Sequence, residues 1–313
     1  MIRKDSRKIL VIGSTVTDLV SKTSRLPVKG QTTLGEKFFM APGGKGANQA
    51  VAVARLNGDV SFVSKTGTDY FGDFVIENIK NSGVDTSNII RDEEIHSGVS
   101  LICLLKDGDN AIIMNPGANM ALDVKEIENL EFLFRMSAVV LVQLEIPVET
   151  VEKILVLGKK YECLTILDPA PAIDLSGDVF LNSDIITPNE HELETYAKCP
   201  TGTLEEIYRA SCVMIEKGVR HVICTKSEGA YLTSRGNEII FFPGIKVNAV
   251  DTTGAGDAFA GALASRLAGG KNLHEAIKFA NLAAGISVKK YGAMPSFADY
   301  DAVVNFNPDL DLV

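Results

Sequence analysis

Asp251-Thr252-Thr253-Gly254-Ala255-Gly256-Asp257-Ala258-Phe259 is the stretch of this chain best equipped for chemistry. Two glycines and an alanine leave its bend almost free of side chains. Phe259, Ala262, Leu263 and Leu267 then fall on one helical face. Such a bend, running into a helix, presents unpaired backbone N–H groups and the positive end of the helix dipole, which together seat an anion. Asp257 stands at that junction, where its charge would repel an isolated phosphate. One explanation is an ordinary helix cap. The other is a base: the Gly254, Ala255 and Gly256 amides hold a phosphoryl group in transfer, and Asp257 faces the acceptor hydroxyl. Phosphoryl transfer asks for positioning, charge stabilisation and one base aimed at the nucleophile. An aspartate, with an ordinary pKa of about 3.9, is ionised at neutral pH.

A second glycine run, Gly43-Gly44-Lys45-Gly46, opens a segment with Ala47, Ala50, Val51 and Ala54 on one face and a stop at Asn57-Gly58. Gly46 directly after the lysine breaks the G-x-x-x-x-G-K-[ST] pattern of a P-loop. Glycines here let a ligand approach the backbone closely, and Asn48 offers it both a donor and an acceptor. No dinucleotide fingerprint follows the first strand, which argues against an oxidoreductase. His96, His191, His221 and His274 have no metal-ligand spacing.

The elements that must position these groups read as alternating strands and helices. Ile9-Leu10-Val11-Ile12-Gly13, Ser61-Phe62-Val63-Ser64, Ala138 to Leu144, Leu164 to Asp168, Ile185-Ile186-Thr187 and Val222-Ile223-Cys224-Thr225 are short apolar runs. Repeated β–α units predict a three-layer, doubly wound α/β fold: a mostly parallel sheet with helices on both faces, one domain over residues 1–313. In such a sheet Asp18, in the loop after the first strand, and Glu145, Asp168, Asn189 and Thr225 share one edge and converge on one cleft. Taken alone, Asn189 and Glu192 read as the start of a helix. Thr32 to Ala41 reads as a strand. Ser97 to Asn115 reads as a hairpin turning at Asp107-Gly108-Asp109.

Composition narrows the class. The chain has 313 residues and 46% hydrophobic content, enough for a substantial core. A formal net charge of −9 with no basic block argues against nucleic acid as the main partner. Cys103, Cys163, Cys199, Cys212 and Cys224 are scattered and odd in number, so a disulfide framework is not expected. Cys103, Cys163 and Cys224 lie in apolar runs and read as core thiols. No secretory or membrane-spanning run is visible, which makes a cytoplasmic protein the expectation.

Asp251 to Phe259 closely resembles the C-terminal signature of the ribokinase family of sugar and nucleoside kinases. Gly43-Gly44-Lys45-Gly46-Ala47-Asn48-Gln49-Ala50 resembles its N-terminal signature, about two hundred residues earlier and in the expected order. The resemblance implies an ATP:sugar phosphotransferase acting on the terminal hydroxymethyl of a pentose, ribose or 2-deoxyribose. A nucleoside or other sugar kinase of the same fold is the alternative; a sensor that kept the fold but lost the chemistry is a third reading, weakened because Asp257, both glycines, Asn189 and Glu192 are present. It implies Asp257 as base with Gly254, Ala255 and Gly256, and sugar contacts from Val16, Asp18, Gly44, Lys45, Asn48, Glu145 and Asp257. It implies nucleotide contacts from Asn189, Thr225, Lys226, Ser227, Glu228, Gly229, Gly256 and Asn281, the last near the adenine. Without the resemblance, Asn281 reads as a solvated residue. Mg²⁺ would be organised by Asn189-x-x-Glu192 through water. A monovalent cation such as K⁺ would sit among Asp251, Thr253, Ser287, Lys290, Gly292 and Ser296. Segments 15–42 and 96–116 would form a small β lid that closes over the sugar and pairs into a homodimer. Val16 departs from the family, whose members usually carry Asn there; relatives acting on 2-deoxyribose look similar in having an apolar residue.

Overall fold

Ile9, Leu10, Val11 and Ile12 are all buried, as a strand covered on both faces requires. Each such side chain contributes about 1.5–3 kcal/mol by leaving water. They lie in the computed structural model of the chain, which describes residues 7–106, 109–175, 177–236 and 238–306. Strand β1 (Lys8–Ile12) is followed by β2 (Val16–Thr23), β3 (Gly35–Gly43), α1 (Lys45–Arg55), β4 (Val60–Gly67), α2 (Tyr70–Asn81), β5 (Asp85–Asp92), β6 (Gly98–Leu104) and β7 (Asn110–Asn115). Then come α3 (Val124–Asn129), α4 (Glu131–Met136), β8 (Ser137–Val142), α5 (Val148–Lys160), β9 (Leu164–Leu167), α6 (Gly177–Leu181), β10 (Ile185–Ile186), α7 (Glu190–Ala197) and α8 (Leu204–Glu216). The chain continues through β11 (His221–Lys226), β12 (Gly229–Ser234), β13 (Ile240–Pro243), α9 (Ala255–Ala268), α10 (Leu273–Ser287) and α11 (Tyr300–Phe306).

Among the described residues nine strands form the main sheet, ordered β13-β12-β11-β10-β9-β8-β1-β4-β5. All neighbours run parallel except β12 and β13, which turn back at one edge. Alternate residues feed two cores. Ile9, Val11, Phe62, Val139 and Leu141 pack with α1, α9 and α10 on one face. Leu10, Ile12, Val140 and Val142 pack with α5, α7 and α8 on the other. The expected three-layer architecture is therefore present. The chain leaves β1 for β4 on one side and later builds β8 on the other, so the switch in winding direction falls between β1 and β8, where such sheets bind ligands. No helix among the described residues is long and apolar enough to cross a membrane.

Strands β3-β2-β6-β7 form a separate four-stranded sheet. It corresponds to the predicted lid segments. Asp18 lies within β2, in register with Ala41 and Ser100, and not in a loop beyond β1 as its position suggested. The strand expected at Thr32–Ala41 runs from Gly35 to Gly43. The hairpin is present as antiparallel β6 and β7, but its predicted turn at Asp107 and Gly108 lies outside the described residues. Cys163 and Cys224 are core thiols, whereas Cys103 sits half-buried on β6, because a lid strand has no second layer behind it.

Two side chains fasten the lid to the main sheet. Asn119, fully buried, donates to the Thr15 and Pro116 carbonyls and accepts from the Thr15 amide, each at 2.8 Å. Asp69 caps α2 and also accepts from the Ser97 amide and hydroxyl, at 2.8 and 2.7 Å.

Candidate active site

Gly254, with φ 78°, takes the left-handed backbone that lets the chain turn into α9, and it is the helix N-cap. Ala255 and Gly256 thus belong to the first helical turn. Asp257 is not the cap: no side chain caps α9, and the Asp257 carboxylate is buried against α1 instead. Its Oδ2 accepts from Asn48 Nδ2 at 2.9 Å and its Oδ1 from Gln49 Nε2 at 3.1 Å. Burial pushes its pKa above the usual carboxylate range, against the opposing pull of Lys45, Asn48 and Gln49. The result is a desolvated, aimed carboxylate at a helix N-terminus, a stronger base than one in water.

The N-terminus of α1 meets the same place. Glu145 Oε2 accepts from the Lys45 amide at 2.9 Å and from the Ser14 hydroxyl. Gly44 is the cap of α1, with φ 90°. Burial pulls the Lys45 ammonium down, but the carboxylates of Asp257, Asp168, Glu145 and Glu192 around it win, and its pKa rises. A cation ringed by four acids is held charged, ready to meet a phosphate. Asp18 reaches in from the lid; a Cβ on Gly43 would meet its Oδ2 at 2.5 Å, so the glycine leaves the room the carboxylate occupies. Burial lifts Asp18 to about 6, while a hydrogen bond from Ser100 lowers it and Glu145 adds to the rise. Val16 is buried at the start of β2, between Gly43 and Gly98.

Beyond α9 lies a cavity of about 560 Å³, within the size range of small-molecule sites. Asn189, Thr225, Lys226, Ser227, Gly229, Gly256 and Asn281 line it. Glu228 does not; it accepts from Ser227 and Tyr231 and closes the β11–β12 turn. Asn281 is buried, with Nδ2 donating to the Phe242 and Pro243 carbonyls, so the reading of a solvated residue fails. Asn189 and Glu192 do begin α7, as a capping box with 2.9 Å bonds in each direction. Glu192 nonetheless feels Lys45 and Asp257, and burial raises its pKa. Asp251 accepts from Thr253 and, through Oδ2, from the Gly292 amide at 2.8 Å, which lays the 251–253 segment beside 288–292. The Ser287 and Ser296 hydroxyls turn inward to the Ala284 and Ala293 carbonyls.

Sequence reasoning missed a buried layer beneath these groups. Gln49 Nε2 also donates to Asp168 Oδ2 at 2.7 Å, and Gln143 Nε2 donates to Gln49 Oε1. Burial drives the Asp168 carboxyl up to about 8, against the pull of Lys45 and helped by Asp257. Asp168 was visible as a polar strand end; Gln49 and Gln143 carried no signal of their own. The apolar cavity wall of Ile245, Val247 and Ala249 was missed because that segment has no periodicity to read.

The profile of the pfkB family carbohydrate kinases matches residues 6–299. The chain belongs to that family. It is an α/β sugar phosphotransferase by family and fold. It is 39% identical to a ribokinase of Bacillus subtilis over 294 residues, covering 92% of this chain and 94% of the relative. It is 35% identical to a deoxyribokinase of Salmonella typhimurium over 305 residues, covering 97% and 99%. The structure of Arabidopsis thaliana ribokinase complexed with ribose and ATP superposes with a TM-score of 0.91 at 32% identity, covering 97% of this chain and 98% of that one.

Proposed function

We propose that this pfkB-family enzyme transfers the γ-phosphoryl group of ATP to the terminal hydroxymethyl of a pentose, ribose or 2-deoxyribose. The observation that carries the reading is Asp257: a buried carboxylate one residue from Gly256, which lines the cavity, and held from the other side by Asn48. In the reaction the hydroxymethyl oxygen attacks the γ-phosphorus in line. Asp257 receives the hydroxyl proton, the bond to the β–γ bridging oxygen breaks, and ADP leaves. The α9 amides and Lys45 stabilise charge on the transferring group. The ribokinase and deoxyribokinase relatives support the pentose assignment. A coupled ADP-release screen over pentoses, deoxypentoses, hexoses and nucleosides tests it; turnover confined to hexoses or nucleosides would refute it.

Mg²⁺ bound with the nucleotide would shield phosphate charge. The donor set fits an ion that keeps its waters: no trio of metal-ligating side chains exists among the described residues, while Glu192 stands near Lys45 and Asp257. A monovalent cation is supported by the pairing of segments 251–253 and 288–292 through Asp251, Val288 and Gly292. Carbonyls there would hold the ion and so order the bend before α9. Turnover at saturating Mg²⁺ is expected to rise with K⁺ and little with Li⁺; equal rates in both salts would remove the cation from the account.

Val16 is the residue we assign to sugar preference. Valine cannot hydrogen-bond a hydroxyl, and a buried hydroxyl without a partner costs about 1–3 kcal/mol. Val16→Asn should move the ratio of kcat/KM for ribose over 2-deoxyribose toward ribose by about 5- to 150-fold. An unchanged ratio would free Val16 of that role.

The lid is our candidate dimer surface. Phe38, Leu101 and Ile113 are exposed on the sheet face opposite Asp18, an apolar surface that monomers seldom leave open. Sedimentation at micromolar concentration should show a dimer, and Ile113→Asp a monomer; a monomeric unaltered chain would end the proposal.

A further inference from the structure

The buried layer under Asp257 has a task that neither sugar nor nucleotide contact explains. Gln49 is fully buried in α1, with no surface open to a ligand. Its amide has two hydrogens, and both are spent on carboxylates: one on Asp257 Oδ1 at 3.1 Å, the other on Asp168 Oδ2 at 2.7 Å. Its carbonyl accepts from Gln143 Nε2 at 2.5 Å. Gln143 is itself fully buried at the end of β8. The flipped amide would turn a carbonyl oxygen toward two acids and an NH₂ toward another NH₂, so the orientation is set from both ends.

We propose that Gln49 is a positioning residue for phosphoryl transfer, its amide aiming the Asp257 carboxylate at the acceptor hydroxyl. Asn48 Nδ2 already engages Asp257 Oδ2. With Gln49 on Oδ1 the carboxylate plane is fixed by two consecutive residues of one helix, and it cannot rotate about its last bond. Asp168 and Gln143 anchor Gln49 to the ends of β9 and β8, so the aim of the base is referenced to the sheet and not to the mobile substrate. The family resemblance gives Asn48 a sugar contact as well; Gln49 has none and reaches the reacting centre only through Asp257. The inference rests on Asp257 being the base.

A donor to an ionised carboxylate also favours that form. Losing it raises the Asp257 pKa, so the base is protonated at pH values where it was ionised, and the acid limb of the kcat profile moves to higher pH. The titratable groups facing Asp257 are Lys45 from α1, Glu145 after β8, Asp168 after β9 and Glu192 from α7. Replacing Gln49 by an apolar residue adds or removes no formal charge; it also takes a donor from Asp168, whose pKa rises with that of Asp257.

The test is Gln49→Met, close in shape and without a donor, measured beside Asp257→Asn. The expected result is a kcat lower by about 10- to 100-fold, with the sugar KM within about 3-fold and the acid limb moved up by about half a pH unit or more. A residue that merely fills space would lower the melting temperature and the active fraction while leaving the limb in place; that outcome, or a kcat within about 2-fold of normal, overturns the inference. Should Gln49→Met not fold, Gln143→Leu decides: it releases the Gln49 carbonyl without touching either acid. A lower kcat with an upward-moved limb supports the inference, and an unmoved limb overturns it. If Asp257→Asn keeps its turnover, the base assignment falls; if Asp257→Asn is inactive while Gln49→Met is normal, the positioning role alone falls.

Discussion

Asp257→Asn is expected to lower kcat by roughly 10³-fold, the middle of the range for removing a general base, while sugar binding stays close to that of the unaltered chain. The substitution keeps the shape of the side chain. One of the two contacts from Asn48 and Gln49 survives on the amide oxygen, and the other becomes a donor facing a donor, a loss of about 1–3 kcal/mol. Offsetting it, a buried negative charge leaves the neighbourhood of Asp168 and Glu145, both of which disfavour it. The protein should therefore fold, bind ribose by calorimetry and fail to turn over. Near-normal turnover would mean that another group takes the proton.

Gly256→Ala should separate stability from activity in the opposite sense. A Cβ at this position meets nothing within 4 Å, so the ligand-free fold accepts it. Position 256 lies in the first turn of α9, where alanine is the better helix former. The melting temperature is thus expected to hold or rise. The open space that the methyl group fills, however, is beside the cavity that Gly256 lines, where the proposed reaction brings a phosphoryl group up to the backbone amides. Displacing that group from its donors should cost about 100-fold in kcat/KM for ATP. Unchanged kinetics in a stable variant would show that the α9 amides do not seat the phosphate.

What could be read from the chain alone was whatever its chemistry states locally. The bend before α9 is legible because glycine content and helix periodicity adjoin each other, and α1 is legible for the same reason. The strand series was readable from short apolar runs, and the convergence of Glu145, Asp168, Asn189 and Thr225 followed from a parallel sheet. Asp18 was placed on the wrong element, since an eight-residue lid strand of mixed burial looks like a loop in sequence. The choice between cap and base at Asp257 could not be made locally. It depends on Asn48 and Gln49, more than two hundred positions away. Gln49 and Gln143 were invisible for the same reason: an amide has no meaning until the acids it serves are known. Glu228 was a plausible ligand by position alone, and its side chain instead serves its own turn.

The order of strands also bears on how a ribosome must deliver this molecule. Strands β9 to β13 join the sheet one after another along a single edge as they are translated. The helices α9 and α10, which with α1 cover much of one face, are made only after the last strand. A nascent chain thus carries an uncovered greasy flank for most of its synthesis, and any product cut short before residue 255 keeps it for good. Termination before residue 255 should yield aggregates and chaperone clients, and never a feeble kinase.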